Sequence, residues 1–193
     1  ARVLEPEPRH EKAKFSSALV LRRTGDYIAA IRGFVRAATM KGTYPEAWYN
    51  AALCYRDLDR PGAALNMLER ALDERSDYTS ALLLKAELLS SADGKESALA
   101  LLDSLATSGN MSISRMRRLT RLFDELGVPQ RGAKLYRKIA AEDSADATTL
   151  AALGRLEHDA GRPDSAVRYL SRALEHDSQP WALWYDYAKA LTD

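Results

Sequence analysis

Residues 45–78 read PEAWYNAALCYRDLDRPGAALNMLERALDERSDY. Ala52 sits in the middle of the first half, Asp59 and Pro61 punctuate the centre, and Ala64, Leu68 and Ala71 follow in the second half. The central proline has counterparts. Pro61, Pro129 and Pro163 are separated by 68 and then 34 residues, twice and once the length of this stretch. A fixed period of this size is the mark of stacked helix–turn–helix units, so the whole chain is set in that frame. It runs without insertion through 11–44, 45–78, 79–112, 113–146 and 147–180, and 181–193 supply one further helix.

The columns of the frame support it. Position 8 holds Ala18, Ala52, Ala86, Thr120, Gly154 and Ala188, and position 20 holds Ala30, Ala64, Ala98, Gly132 and Ala166. Position 24 holds Phe34, Leu68, Leu102, Tyr136 and Leu170, and position 27 holds Ala37, Ala71, Leu105, Ile139 and Ala173. Small residues recur where two helices must approach closely, and large apolar ones recur where a ridge fills a groove. Position 15 holds Gly25, Asp59, Asp93, Gly127 and Gly161, all suited to a turn. Proline two places later fits the first turn of a second helix, where its missing N–H has no intrahelical partner.

On these residues the chain resembles the tetratricopeptide repeat family. Repeat two carries the family's pattern best, through Trp48, Ala52, Tyr55, Ala64, Leu68 and Ala71. Lys14, Ser17, Lys85 and Glu157 depart from it, standing where large apolar or aromatic residues are usual. The resemblance implies an all-α fold: a right-handed α-solenoid superhelix of five helix-turn-helix repeats plus one extra C-terminal helix. Residues 1–10, with Glu5-Pro6-Glu7-Pro8, are expected as an extended leader, and 11–193 as a single solenoid domain. Lys14 and Ser17 suit an N-terminal cap. The last helix carries Trp181, Trp184, Tyr185, Tyr187 and Leu191, the repeat pattern at full strength. It either offers a face for self-association or marks a natural chain that continues past Asp193, and the missing polar outer face favours continuation.

The resemblance also implies which residues line the concave groove, those at positions 2, 5, 6, 9, 12 and 13 of each first helix. They include Phe15, Leu19, Tyr49, Asn50, Leu53 and Leu83, then Arg117, Arg118, Arg121 and Arg155. The stripe is apolar and aromatic early and basic from repeat four onward. It suits a protein or peptide partner with an apolar anchor and acidic residues, because arginine's planar fork holds a carboxylate through two hydrogen bonds. Asp124 and Glu125 lie near enough to neutralise part of the cluster. A clamp for acidic chaperone tails needs a lysine and asparagine set, of which only Asn50 is present.

Other classes fit poorly. The 28 Lys and Arg against 27 Asp and Glu give a net charge of +1, which offers little phosphate neutralisation for nucleic acid. Apolar runs such as 81–84 fall far short of a membrane span. No phosphate loop, zincin helix or serine elbow occurs. Leu-Glu-His-Asp appears at 156–159 and 174–177, but at different repeat positions, and His158 with Asp159 supplies two ligands at most. The single cysteine, Cys54, sits mid-helix at a packed position with no evident base beside it. The expectation is a non-catalytic, cofactor-free scaffold, soluble in cytoplasm or periplasm. Residues 1–10 do not read as a signal peptide, although one could have been removed before Ala1.

Overall fold

The computed structural model describes residues 8–41, 44–91, 94–108 and 111–192. These form α1 (Pro8–Arg23), α2 (Tyr27–Lys41), α3 (Pro45–Asp57), α4 (Pro61–Glu74), α5 (Thr79–Ser91) and α6 (Lys95–Thr107). There follow α7 (Ile113–Glu125), a 3-10 turn at Pro129–Gly132, α8 (Ala133–Glu142), α9 (Ala147–Asp159), α10 (Pro163–His176) and α11 (Trp181–Thr192). The fold is the all-α solenoid type, with odd-numbered helices as first helices and even-numbered ones as second helices of the repeats. α1 begins at Pro8, inside the expected leader, because proline is well placed in a helix's first turn. The leader's residues 1–7 lie outside the described ones.

One turn is built four times. Gly25, Asp59, Gly127 and Gly161 all have positive φ, at 85°, 55°, 72° and 70°. In each case the next residue's N–H reaches back five places: Asp26 to Leu21, Arg60 to Tyr55, Val128 to Phe123 and Arg162 to Glu157. The left-handed residue bonds three places back, as Gly161 does to His158 at 2.8 Å. That pair of bonds satisfies the carbonyls left over at the end of the first helix. Pro61 and Pro163 then open α4 and α10.

The small and large columns close the core. Ala18, Ala52 and Ala86 at position 8 are fully buried, as are Ala30, Ala64, Ala98 and Ala166 at position 20. Phe34, Leu68, Leu102 and Leu170 at position 24 are equally inaccessible. Contact is tightest at Gly154, where an added Cβ would lie 2.5 Å from Leu170 Cγ.

The internal first helices α3 and α9 each bury two faces. In α3, Ala51 and Cys54 pack with Ala30, Ile31 and Phe34 of the preceding α2. Its other face, Trp48 and Ala52, packs with Ala64, Leu68 and Ala71 of α4. The terminal helices fill one face each. α1 buries Ala18 but exposes Ala13, Ser17 and Val20, which is 59% exposed. α11 buries Leu183 and Ala190 against α9 and α10.

The chain divides into two compact units, Ala1–Asp93 and Gly94–Asp193. The division falls in the turn of the third repeat, between α5 and α6. The clusters around Phe34 and Trp48 are built from helices of the first unit, and those around Leu153 and Leu170 from helices of the second.

Candidate functional site

Position 5 of the first helix does not stand alone on its face. In the first unit Phe15 packs edge-on against Phe34, at 5.4 Å between centroids, and lies against Tyr44 at 4.9 Å. Tyr49 repeats the arrangement against Tyr78 at 5.3 Å. In the second unit Arg117 Nε donates to Asp146 Oδ2 at 2.7 Å and its Nη2 to Asp143 Oδ2 at 2.6 Å. Tyr44, Tyr78 and Asp146 all occupy position 34, the last of the repeat. Positions 5 and 34 therefore form a couple: aromatic on aromatic twice, then Arg on Asp. Position 34 was not among the sequence candidates, and its matched change with position 5 is the signal that marks it.

The remaining apolar candidates are more enclosed than a groove wall requires. Leu53 is 8% exposed and Leu83 only 1%, so both are core residues, a correction to their expected place on the binding face. Each lies near the boundary between the groove stripe and the packed face, and here the packing takes them. Phe15, Leu19 and Tyr49 are half-buried. Asn50 donates from Nδ2 to the Glu46 carbonyl at 2.7 Å and accepts from Arg22 at 3.5 Å, which links α3 to α1.

The basic candidates converge on a cleft of about 770 Å³ in the second unit, lined by Arg117, Arg118, Arg121, Asp124, Tyr136 and Thr149 among others. Asp146 is the N-cap of α9: Oδ1 accepts from the Thr149 N–H at 3.2 Å and Oδ2 from the Thr149 hydroxyl at 2.9 Å. Burial acts to raise the Asp146 carboxyl, yet the hydrogen bonds from Arg117 and Thr149 outweigh it and hold it below the usual carboxylate range. The bonds to Asp146 and Asp143 in turn raise the Arg117 guanidinium. Arg121 is 64% exposed and only loosely paired, with Glu125 at 3.7 Å. Arg118 is half-buried and in contact with neighbouring groups. Arg155, outside the cleft, pairs with Asp186 of α11 at 3.1 Å. Of the two acids expected beside the cluster, Glu125 pairs with Arg121 and Asp124 lines the cleft itself. Asp124 also accepts the Tyr136 hydroxyl at 2.5 Å, and burial with this bond raises the phenol.

Three of the polar departures from the repeat pattern, Lys14, Lys85 and Glu157, have a partner. Lys85 lies 3.6 Å from Glu69, and Lys14 points its ammonium at Met40 Sδ, 3.1 Å away. Glu157 is 6% exposed and bridges Arg162 and Arg137, the latter at 3.0 Å. Burial pushes the Cys54 thiol up to about 11, so it stays protonated at neutral pH. His158 lies 3.5 Å from Asp159. Among the described residues no three His, Cys, Asp or Glu side chains gather as a metal site would require, and no helix is long and apolar enough to cross a membrane.

No curated protein matches the chain in sequence. Solved structures resemble it in fold. YrrB, described as a TPR protein with an unusual peptide-binding site, has a TM-score of 0.69 at 15% identity, over 91% of this chain and 90% of that one. MamA from Desulfovibrio magneticus RS-1 gives 0.66 at 18% identity, over 88% and 96%. PilF of Pseudomonas aeruginosa gives 0.70 at 14% identity, over 94% and 83%. Residues 45–78 and 147–190 each match a tetratricopeptide repeat model, and the first match coincides with the second unit of the 34-residue frame. Two matched repeats, a turn built four times and a core laid out in columns identify the fold as one of tetratricopeptide repeats.

Proposed function

We propose that the chain is a non-catalytic scaffold that holds a protein partner on its first-helix face, with the cleft between α7 and α9 taking an acidic peptide segment. The observation that carries this reading is the convergence of Arg117, Arg118 and Arg121 on one open cleft. Arg117 is held by two carboxylates and shapes the wall, whereas Arg121 has a long, weak pairing that an incoming carboxylate can replace. The N-terminus of α9 lies on the same cleft and adds a favourable field for negative charge. In the first unit the same helix positions offer Phe15, Leu19 and Tyr49 as apolar contact, while Leu53 and Leu83 serve the core. The described peptide site of YrrB agrees with such a use of the fold.

The test is fluorescence anisotropy with a labelled, glutamate-rich peptide bearing one phenylalanine, beside its glutamine counterpart. The glutamate peptide should bind, lose affinity as salt rises, and bind Arg121→Glu about tenfold or more weakly. Equal binding of the glutamate and glutamine peptides would remove the carboxylate role from the cleft.

A further inference from the structure

The second half of the fourth repeat carries a basic face that the α7–α9 cleft does not use. From Leu126 to Ala141 the chain has no acid and four cations, Arg131, Lys134, Arg137 and Lys138. The second helices on either side differ, since α6 holds Glu96 and Asp103 and α10 holds Asp164 and Glu175. All four cations are exposed. Arg131, Lys134 and Lys138 follow one another at i, i+3 and i+7, a single line along the helix surface on which like charges repel. An anion laid along that line relieves the repulsion.

Between α6 and α8 this face borders a groove of about 480 Å³. Arg131, Lys134 and Arg137 stand on its rim, and Ala106, Ala133 and the buried Leu135 give it an apolar lining. Its acid, Asp103, is already taken, accepting from Arg131 Nη1 at 2.6 Å. Arg137 lies 3.0 Å from Glu157, but Arg162 holds that carboxylate as well, so Arg137 can turn to another anion without stranding a buried charge. Lys134 and Lys138 have no ion partner among the described residues. The groove is not an end of the stack. α7 packs against both α6 and α8, and α9 against α8, whereas further repeats add onto terminal helices and leave this face open.

We propose that the α6–α8 groove binds an acidic, extended segment of another protein. Its carboxylates meet Lys134, Lys138 and Arg137, and a small apolar side chain rests on Ala133 and Leu135. Side chains on one side of an extended segment repeat about every 7 Å. That matches the rise of about 6 Å between Lys134 and Lys138 along the helix. A nucleic-acid strand or a bilayer would meet the cations and leave the recessed Leu135 unused.

The probe is a labelled peptide of alternating glutamate and alanine, beside its glutamine counterpart. Both are titrated by anisotropy into the Arg121→Glu chain, so that the α7–α9 cleft contributes little and the two sites are judged separately. The glutamate peptide should bind and the glutamine peptide should not. Lys134→Glu, at an exposed and unpaired position, should leave the circular dichroism unchanged and weaken binding about fivefold or more. Water-soluble carbodiimide, which joins a bound carboxylate to an adjacent lysine amine, locates the contact by mass spectrometry. Amides should concentrate on Lys134 and Lys138, whereas the α7–α9 cleft is lined by arginines and no lysine. Unchanged affinity for Lys134→Glu, or amides spread evenly over the chain's lysines, would overturn the proposal. So would a chain that sediments with phosphatidylserine vesicles and ignores the peptide, an outcome that gives the face to a membrane.

Discussion

Glu157 occupies a position where the repeat pattern puts an aromatic ring, yet it is 6% exposed and the helix pair around it is intact. Its carboxylate is tolerated because Arg162 and Arg137 reach it from the solvent side and keep it charged. The bond from Arg162 is the largest influence, and despite burial it holds the Glu157 carboxyl below its ordinary value. A carboxyl whose folded value is lowered stabilises the fold above its unfolded value and loses that contribution as pH falls. Glu157→Gln should therefore cost about 1–2 kcal/mol at pH 7, the scale of hydrogen bonds to a charged group. The gap from the parent chain should stay constant down to the unfolded value near 4.5 and close below it. Urea denaturation of both chains from pH 7 to pH 3 measures this. A gap that persisted at the acid end would mean the carboxylate's charge contributes nothing.

At the scale of the element, positions 5 and 34 show how a first helix is tied to the loop that leads into the next one. The aromatic couples, Phe15 with Tyr44 and Tyr49 with Tyr78, bury surface. Arg117 with Asp146 replaces burial with charge, and adds a duty the tyrosines do not have, because Asp146 caps α9. Tyr44, the corresponding residue before α3, makes no side-chain cap. Losing the two members of the charged couple should thus have unequal effects. Arg117→Ala removes its exposed ion pairs to Asp143 and Asp146, together worth about 1 kcal/mol. Asp146→Ala removes one of those pairs and the cap, the cap adding about 1 kcal/mol. High salt should erase the first loss and leave most of the second. Chemical denaturation at two ionic strengths distinguishes them, and equal losses at high salt would show that the cap is not holding α9.

Across the molecule, what the sequence revealed follows from how many neighbours constrain a column. Positions 8, 20, 24 and 27 are enclosed by two helices at once, so their residue types recur and the frame could be read without a structure. Position 15 was legible for a conformational reason, the left-handed turn at Gly25, Asp59, Gly127 and Gly161. The binding stripe was less legible because its columns sit where packing and solvent meet. The same position 5 is core at Leu83 and half-buried at Tyr49. The carboxylates holding Arg117 lie 26 and 29 residues away, beyond any spacing rule for one helix. The same local logic makes a prediction for the whole chain. Repeats stabilise one another through nearest neighbours, and the first unit, residues 1–93, holds apolar clusters that include Ala18, Phe34, Trp48, Leu68 and Leu88. A fragment of residues 1–93 should then stay helical by circular dichroism and unfold in a single cooperative thermal transition, at a lower temperature than the full chain. A broad, non-cooperative melt would show that the core of this unit needs residues 94–193 to form.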